Sequence, residues 1–182
     1  MRVRIDPDRV RQVFHELSGS SAFQESRALA EAGGLPVEML QAMSLRPEIL
    51  KAFGATGEGV YPGGVLEREL KEKVILKASL HNECQFCINS HRAIMRMIGI
   101  PDAQIEELDA PEHLTRTEAL ALDYTTRAIR DANGIGEDFF DRLRREFSDE
   151  EIVELTFLIG LINLLNLFNN ALRVTYSGDY EG

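Results

Sequence analysis

Two capping boxes in the last third of this chain leave little room for anything but helices. Thr115-Arg-Thr-Glu118 and Ser148-Asp-Glu-Glu151 each place a hydroxyl residue three positions ahead of a glutamate. In that arrangement the two side chains satisfy a helix's first free N–H groups reciprocally. The first predicts a helix to about Ala132 and the second a long one to about Val174, with another from about Glu137 to Phe147 between them. Near the start, Asp6-Pro7 reads as an N-cap with proline at the first helical position. Val10, Val13, Phe14 and Leu17 then recur at three- and four-residue steps until Gly19. A second helix is expected from Ser21 to about Ala32, and shorter ones start at Pro36 and Pro47. From Val65 to about Leu80, the residues Leu66, Leu70, Val74, Ile75 and the Leu76/Leu80 pair form a stripe, with Glu67, Arg68, Glu69, Lys71 and Lys73 largely off it. His81-Asn82 breaks that pattern. A helix from Glu83 or Cys84 to Ile98 then ends at Gly99 with Pro101 beyond, and a turn follows to Leu108. No stretch shows the alternating, β-branched pattern of paired strands, so the fold class is all-α, a compact multi-helix bundle.

At 182 residues the chain suffices for a single domain, residues 1–182, with a full core, and stability requires no disulfide or metal. Its parts are an N-terminal helical cap (1–54), central helices (65–100) and C-terminal helices (115–174). The run Gly54 to Gly64 reads as a loop between the first two, and it lacks the Gly-Lys-Ser/Thr ending of a phosphate loop. With 20 Lys and Arg against 30 Asp and Glu, a formal charge of -10 and no basic cluster, nucleic-acid binding is not expected. MRVRIDPDRV lacks the apolar centre of a secretory signal, which points to a cytoplasmic protein in a reducing pool. Leu155 to Phe168, interrupted by Asn163 and Asn166, is too short and polar to span a bilayer, so no membrane association is expected. Its Leu155, Leu158, Ile159, Ile162 and Leu165 read as core or subunit interface. Asn163, Asn166, Asn169 and Asn170 need hydrogen-bond partners in so apolar a helix, as pocket lining or as caps. Placing Glu154 on Glu72 also puts Leu158 on Leu76, Phe168 on Phe86, and Asn166 and Asn169 on Cys84 and Cys87, an echo that two related helical hairpins would leave.

Both cysteines and one of four histidines fall inside Cys84-Gln-Phe-Cys-Ile-Asn-Ser-His91. On a helix, Cys84, Cys87 and His91 share one face. Two thiols three residues apart on a first turn can approach disulfide distance, and the free N–H groups there stabilise a thiolate. A thiol needs a base or a favourable field to react at neutral pH, and His91, one turn beyond Cys87, supplies a candidate base. An imidazole in that role needs a carboxylate to fix its tautomer. Glu72 is best placed to provide one, because a break at His81-Asn82 folds it back over the Cys84–His91 face.

Glu72, Cys84, Cys87 and His91 together follow the spacing E-x11-C-x2-C-x3-H. This pattern resembles the AhpD-like alkylhydroperoxidases of the carboxymuconolactone decarboxylase family. The match centres on residues 65–100 and extends to the whole helical chain. The resemblance implies an AhpD-like bundle with the CxxC at the N-terminus of a core helix, and an enzyme: a thiol peroxidase or disulfide oxidoreductase that needs no cofactor or metal. Cys87 would attack the peroxide and pass through a sulfenic acid. Cys84 would donate a proton and resolve, and Glu72 and His91 would relay protons. Dihydrolipoyl proteins or a peroxiredoxin are the implied redox partners, and a homo-oligomer (dimer, trimer or hexamer) the implied state. The decarboxylase branch does not require a thiol pair. The best characterised members carry a second histidine between the cysteines, where this chain has Phe86. His81 is a candidate substitute, and Glu83 adds a charge expected to disfavour the Cys84 thiolate.

Other readings of the same residues stand beside this one. The thiols could be two buried small hydrophobes. They could complete a tetrahedral zinc shell with His91 and Glu72, which would make the chain a non-enzymatic redox- or zinc-responsive helical oligomer. Glu72 could be a solvated neighbour of Glu69 and Lys73. His15 and His113 read as surface residues.

Overall fold

Lys71, Glu72 and Lys73 are consecutive, so on a helix they point in three directions, and all three are buried. The middle of their helix is therefore enclosed on every side. In this computed structural model, which describes residues 1–17 and 23–178, that helix spans Arg68–His81. Before it come α1 (Pro7–Glu16), α2 (Gln24–Glu31), α3 (Glu38–Ser44), α4 (Pro47–Gly54) and the single turn α5 (Thr56–Gly59), making it α6. After it follow α7 (Gln85–Met97), α8 (Asp102–Glu106), α9 (Arg116–Asp131), α10 (Glu137–Glu146) and α11 (Asp149–Leu172). Among the described residues there is no strand. Gly19 and Ser21, the predicted end of the first helix and start of the second, lie outside the described residues.

Asp6 caps α1 through its side chain with Pro7 in the first turn, and both capping boxes form as their spacing requires. Three predicted elements differ. The glycine-rich segment holds the turn α5, and the segment after Pro101 holds the short helix α8. The central helix begins at Arg68 rather than Val65, because the N–H groups of Val65 and Leu66 are taken by the Glu154 carboxylate on α11. That carboxylate also meets Lys71 Nζ at 2.6 Å, and the same ammonium donates to the Gly63 carbonyl. Gly64 sits at φ +100°, where a Cβ would collide with Glu154, so this close approach needs glycine. On the other side, Lys73 pairs with Glu118 at 2.6 Å, the same glutamate that closes the α9 capping box. Two cations that read as solvent-facing are thus internal ties from α6 to α11 and α9.

α6 packs on α7, α9 and α11. One contiguous core results, and Val74, Leu76, Leu155 and Leu158 lie at its centre. Leu80 is the exception on the predicted stripe, being exposed. Asn82 caps the end of α6 and Glu83 turns the chain at φ 52°, so α7 folds back along α6.

By length and composition α11 could cross a bilayer; starting at its capping box, it exceeds the apolar run at its centre. Its inner face nevertheless bonds into the domain through Glu154, Asn166 and Asn169. Its outer face, with Val153, Phe157, Leu164 and Leu167, is exposed.

Candidate active site

Cys84 is the N-cap of α7, in extended geometry, and its sulfur accepts the Cys87 N–H at 3.4 Å. Both thiols are free and buried, but only Cys87 reaches a cleft of about 780 Å³. α7, the approach to α3, α11 and the segment Tyr176–Gly178 wall this cleft, and its lining is largely apolar. Phe86, at the position of the expected imidazole, is one wall, edge-on to Tyr176 at 5.7 Å between ring centres.

His91 lies on the same cleft, one turn beyond Cys87. Its Nδ1 is 2.7 Å from Glu72 Oε2, so a carboxylate holds the ring proton at Nδ1 and leaves Nε2 as the basic atom. No hydrogen bond joins His91 directly to either sulfur among the described residues. The two are within reach of a common substrate or water. Glu72 is fully buried, which excludes its reading as a solvated surface residue. Burial alone would raise its pKa. The hydrogen bond and charge of His91, the Tyr61 hydroxyl and Arg68 outweigh that and hold the carboxyl below its ordinary range.

Tyr61 and Arg68 were not singled out by sequence reasoning. The Tyr61 hydroxyl donates to Glu72 Oε1 at 2.7 Å and accepts from Arg68 Nη2 at 2.9 Å, while the guanidinium carbon lies 4.3 Å from the centre of the Tyr61 ring. Arg68 Nε is 2.7 Å from Glu72 Oε1, an ion pair by distance whose N–H is not aimed along the contact. Burial and the facing Glu72 charge raise the Tyr61 pKa, so its hydroxyl stays protonated and keeps donating. The only available signal was one aromatic residue inside a glycine-rich run.

The asparagines of α11 take both predicted roles. Asn170 donates to the Asn82 carbonyl at the end of α6, and Asn163 accepts from the Asn82 side chain. Asn166 bonds Asn82 and Ser79, and Asn169 Nδ2 reaches Cys87 Sγ at 3.3 Å. The two residues that echo the cysteines in sequence are thus the two packed behind them.

The first proton leaves the pair readily. Cys84 is brought down to about 7, chiefly by the hydrogen bond from the Cys87 thiol, against burial, with help from the Cys87 N–H and the two amides. Cys87 is pushed up by the sulfur it donates to, by burial and by that neighbour's charge. Glu83 is exposed, and the Cys87 hydrogen bonds and the two amides bring Cys84 down despite burial. His81 is exposed at the end of α6 and does not line the cleft. His15 is exposed, and His113 is half-buried beside Glu107. No group of three or more metal-binding side chains is arranged around a common point among the described residues. The Glu72 oxygens that a zinc shell would need are committed to His91, Tyr61 and Arg68.

Residues 47–126 match the carboxymuconolactone decarboxylase family model. An uncharacterized peroxidase-related protein from Silicibacter sp. TM1040 superposes with TM-score 0.78 at 20% identity, covering 100% of this chain and 94% of that one. A protein of unknown function from Agrobacterium tumefaciens, assigned to antioxidant defence as AhpD, is similar at 29% identity and TM-score 0.66 over 76% of this chain and 97% of its own. The debrominase Bmp8, in complex with 2,3,4-tribromopyrrole, is similar in fold at 22% identity and TM-score 0.66, over 80% of this chain and 79% of its own.

Proposed function

Since this chain belongs to the carboxymuconolactone decarboxylase family and has the AhpD-like fold, we propose that it is a thiol oxidoreductase that reduces organic hydroperoxides through Cys84 and Cys87. One observation carries the assignment: of two adjacent buried thiols, Cys87 alone opens on an apolar cleft, beside a histidine whose far nitrogen is held by a buried carboxylate. The anion rests on Cys84, hydrogen-bonded by the Cys87 thiol. Passing that proton to Cys84 places the anion on the cleft side, where Cys87 attacks the terminal peroxide oxygen. The O–O bond breaks, sulfur loses two electrons to become a sulfenic acid, and the alkoxide takes from His91 Nε2 the proton that the thiol pair gave up when its first sulfur ionised. Attack by Cys84 then forms the disulfide and releases water. A dihydrolipoyl dithiol returns two electrons by thiol–disulfide exchange and leaves as its own disulfide; a peroxiredoxin is the other redox partner this reading allows.

Titrating free thiol after one equivalent of tert-butyl hydroperoxide tests this. Loss of both thiols, restored by dihydrolipoamide and absent in Cys87→Ser, is the expected result; two thiols still titratable would overturn it. Including a bromopyrrole in the same assay separates peroxide reduction from the dehalogenation that the Bmp8 name describes.

We also propose that a second copy of this chain covers the outer face of α11. From Val153 to Ala171 the exposed positions Val153, Phe157, Gly160, Leu164, Leu167 and Ala171 recur at four- and three-residue steps, and no exposed charge interrupts them. Gly160 lies at the middle of the helix with open space where a Cβ would be, so nothing among the described residues requires glycine there. A mid-helix glycine costs about 0.5–1 kcal/mol relative to alanine, and close approach of an identical helix at a two-fold axis accounts for it.

A further inference from the structure

Asn166 and Asn169 are each 1% exposed, and they stand on α11, opposite the helix that carries the thiols. Among the described residues Asn169 Nδ2 donates only to sulfur, to Cys87 Sγ at 3.3 Å and to Met39 Sδ at 3.4 Å. Its Oδ1 is buried and has no hydrogen-bond partner among the described residues. Neutral sulfur is a weak acceptor, and an orphaned buried carbonyl costs about 1–3 kcal/mol, so this amide does not serve stability. Its donors become useful when the sulfur is charged, since a charge-assisted hydrogen bond is about twice as strong as a neutral one.

We propose that Asn169, supported by Asn166, is a catalytic residue whose amide N–H holds the anionic sulfur of the pair and compensates for the imidazole that is Phe86 here. Asn166 is oriented for this by its neighbours: Asn82 donates to its Oδ1 at 2.9 Å, and its Nδ2 donates to Ser79 Oγ at 3.1 Å. Both amides act on both thiols in the direction that favours the anion, whichever sulfur carries it. Of the ionisable groups around the pair, His91 on α7, Glu72 on α6 and Tyr61 before it bond no sulfur among the described residues; Glu38 and Tyr176 line the same cleft, and the exposed Glu83 precedes Cys84. Oxidation of Cys87 would offer Oδ1 a donor. When Cys87 takes an oxygen from a hydroperoxide, with two electrons passing from sulfur to the O–O bond and ROH leaving, the new S–O–H group can donate to it. This last step rests on the peroxidase assignment; the hold on the anion does not.

The first test uses no substrate. Following thiolate absorbance against pH in the reduced full chain, Asn169→Leu should move the first ionisation up by about one unit, which makes the anion roughly tenfold scarcer at a pH below both midpoints. Adding Phe86→His to that variant should bring the midpoint back down. In wild-type protein labelled with nitrogen-15, the side-chain amide signals of Asn166 and Asn169 should titrate with the same midpoint as the thiol; this measurement decides the matter if Asn169→Leu does not fold. An unmoved midpoint in a folded variant, or amide signals indifferent to the titration, would overturn the assignment. A shifted midpoint without hydroperoxide consumption by the wild type would leave this inference standing and remove the peroxidase reading. Consumption with an unshifted midpoint would do the reverse.

Discussion

Neutralising one end of the Lys71–Glu154 pair should reveal how far buried charge holds the site's outer loop. In Glu154→Gln the Lys71 ammonium, 1% exposed in its side chain, loses its carboxylate and keeps carbonyl partners, and the new amide N–H opposes the Val65 and Leu66 donors. Breaking a buried pair from one side costs about 3–5 kcal/mol. Lys71→Met is milder, because Glu154 retains two backbone N–H groups; losing one hydrogen bond to a charge gives about 2–3 kcal/mol. The double variant leaves no uncompensated charge, so it should cost at least about 2 kcal/mol less than the sum of the singles. Urea unfolding of all four proteins at one fixed concentration measures the cycle. Singles costing under about 1 kcal/mol, or additivity within about 0.5 kcal/mol, would show the pair to be solvated and refute the reasoning.

Tyr61→Phe removes one donor to the Glu72 carboxylate and leaves the ring packing; losing about 1.4 kcal/mol there predicts about a tenfold fall in kcat/KM for hydroperoxide, and an unchanged value would separate Tyr61 from the relay. Glu72, Glu118 and Glu154 have pKa values lowered from 4.5, so the stability each contributes is fully present above that value and lost as pH falls through the folded one. The urea midpoint should therefore drop below about pH 4.5, less so in Glu154→Gln, and a midpoint flat into acid would contradict this. Leu164→Asp should reduce the sedimenting species to a 20.5 kDa monomer with catalytic thiols intact; wild-type protein already sedimenting as a monomer would end the proposal for α11.

The sequence made most helix ends legible because caps and stops are local chemistry: Thr115 with Glu118, Ser148 with Glu151, Asp6 with Pro7. The spacing from Glu72 to His91 likewise anticipated that these two side chains would meet, since it needs only a helix, a reversal and a second helix. What could not be read depends on which surface meets which. Lys71 and Lys73 look like solvent-facing residues until a neighbour on each side supplies a carboxylate. Tyr61 looks like part of a spacer until the loop is pinned to α11. The asparagines announced a need for partners, but only the packing of α11 behind α7 identified them as sulfur and helix ends.

The cap of α7 is the sulfur of Cys84, so the helix leans on an atom that the proposed chemistry consumes. In a Cys84–Cys87 disulfide that sulfur no longer carries the charge that makes it a good acceptor, and reduction gives the helix its cap back. With a cap contributing about 0.5–1 kcal/mol, the reduced form gains enough to raise the reduction potential of the pair by about 10–20 mV. Secondary structure and electron affinity are thereby linked at one atom, and a change that loosens the first turn of α7 makes the disulfide harder to reduce.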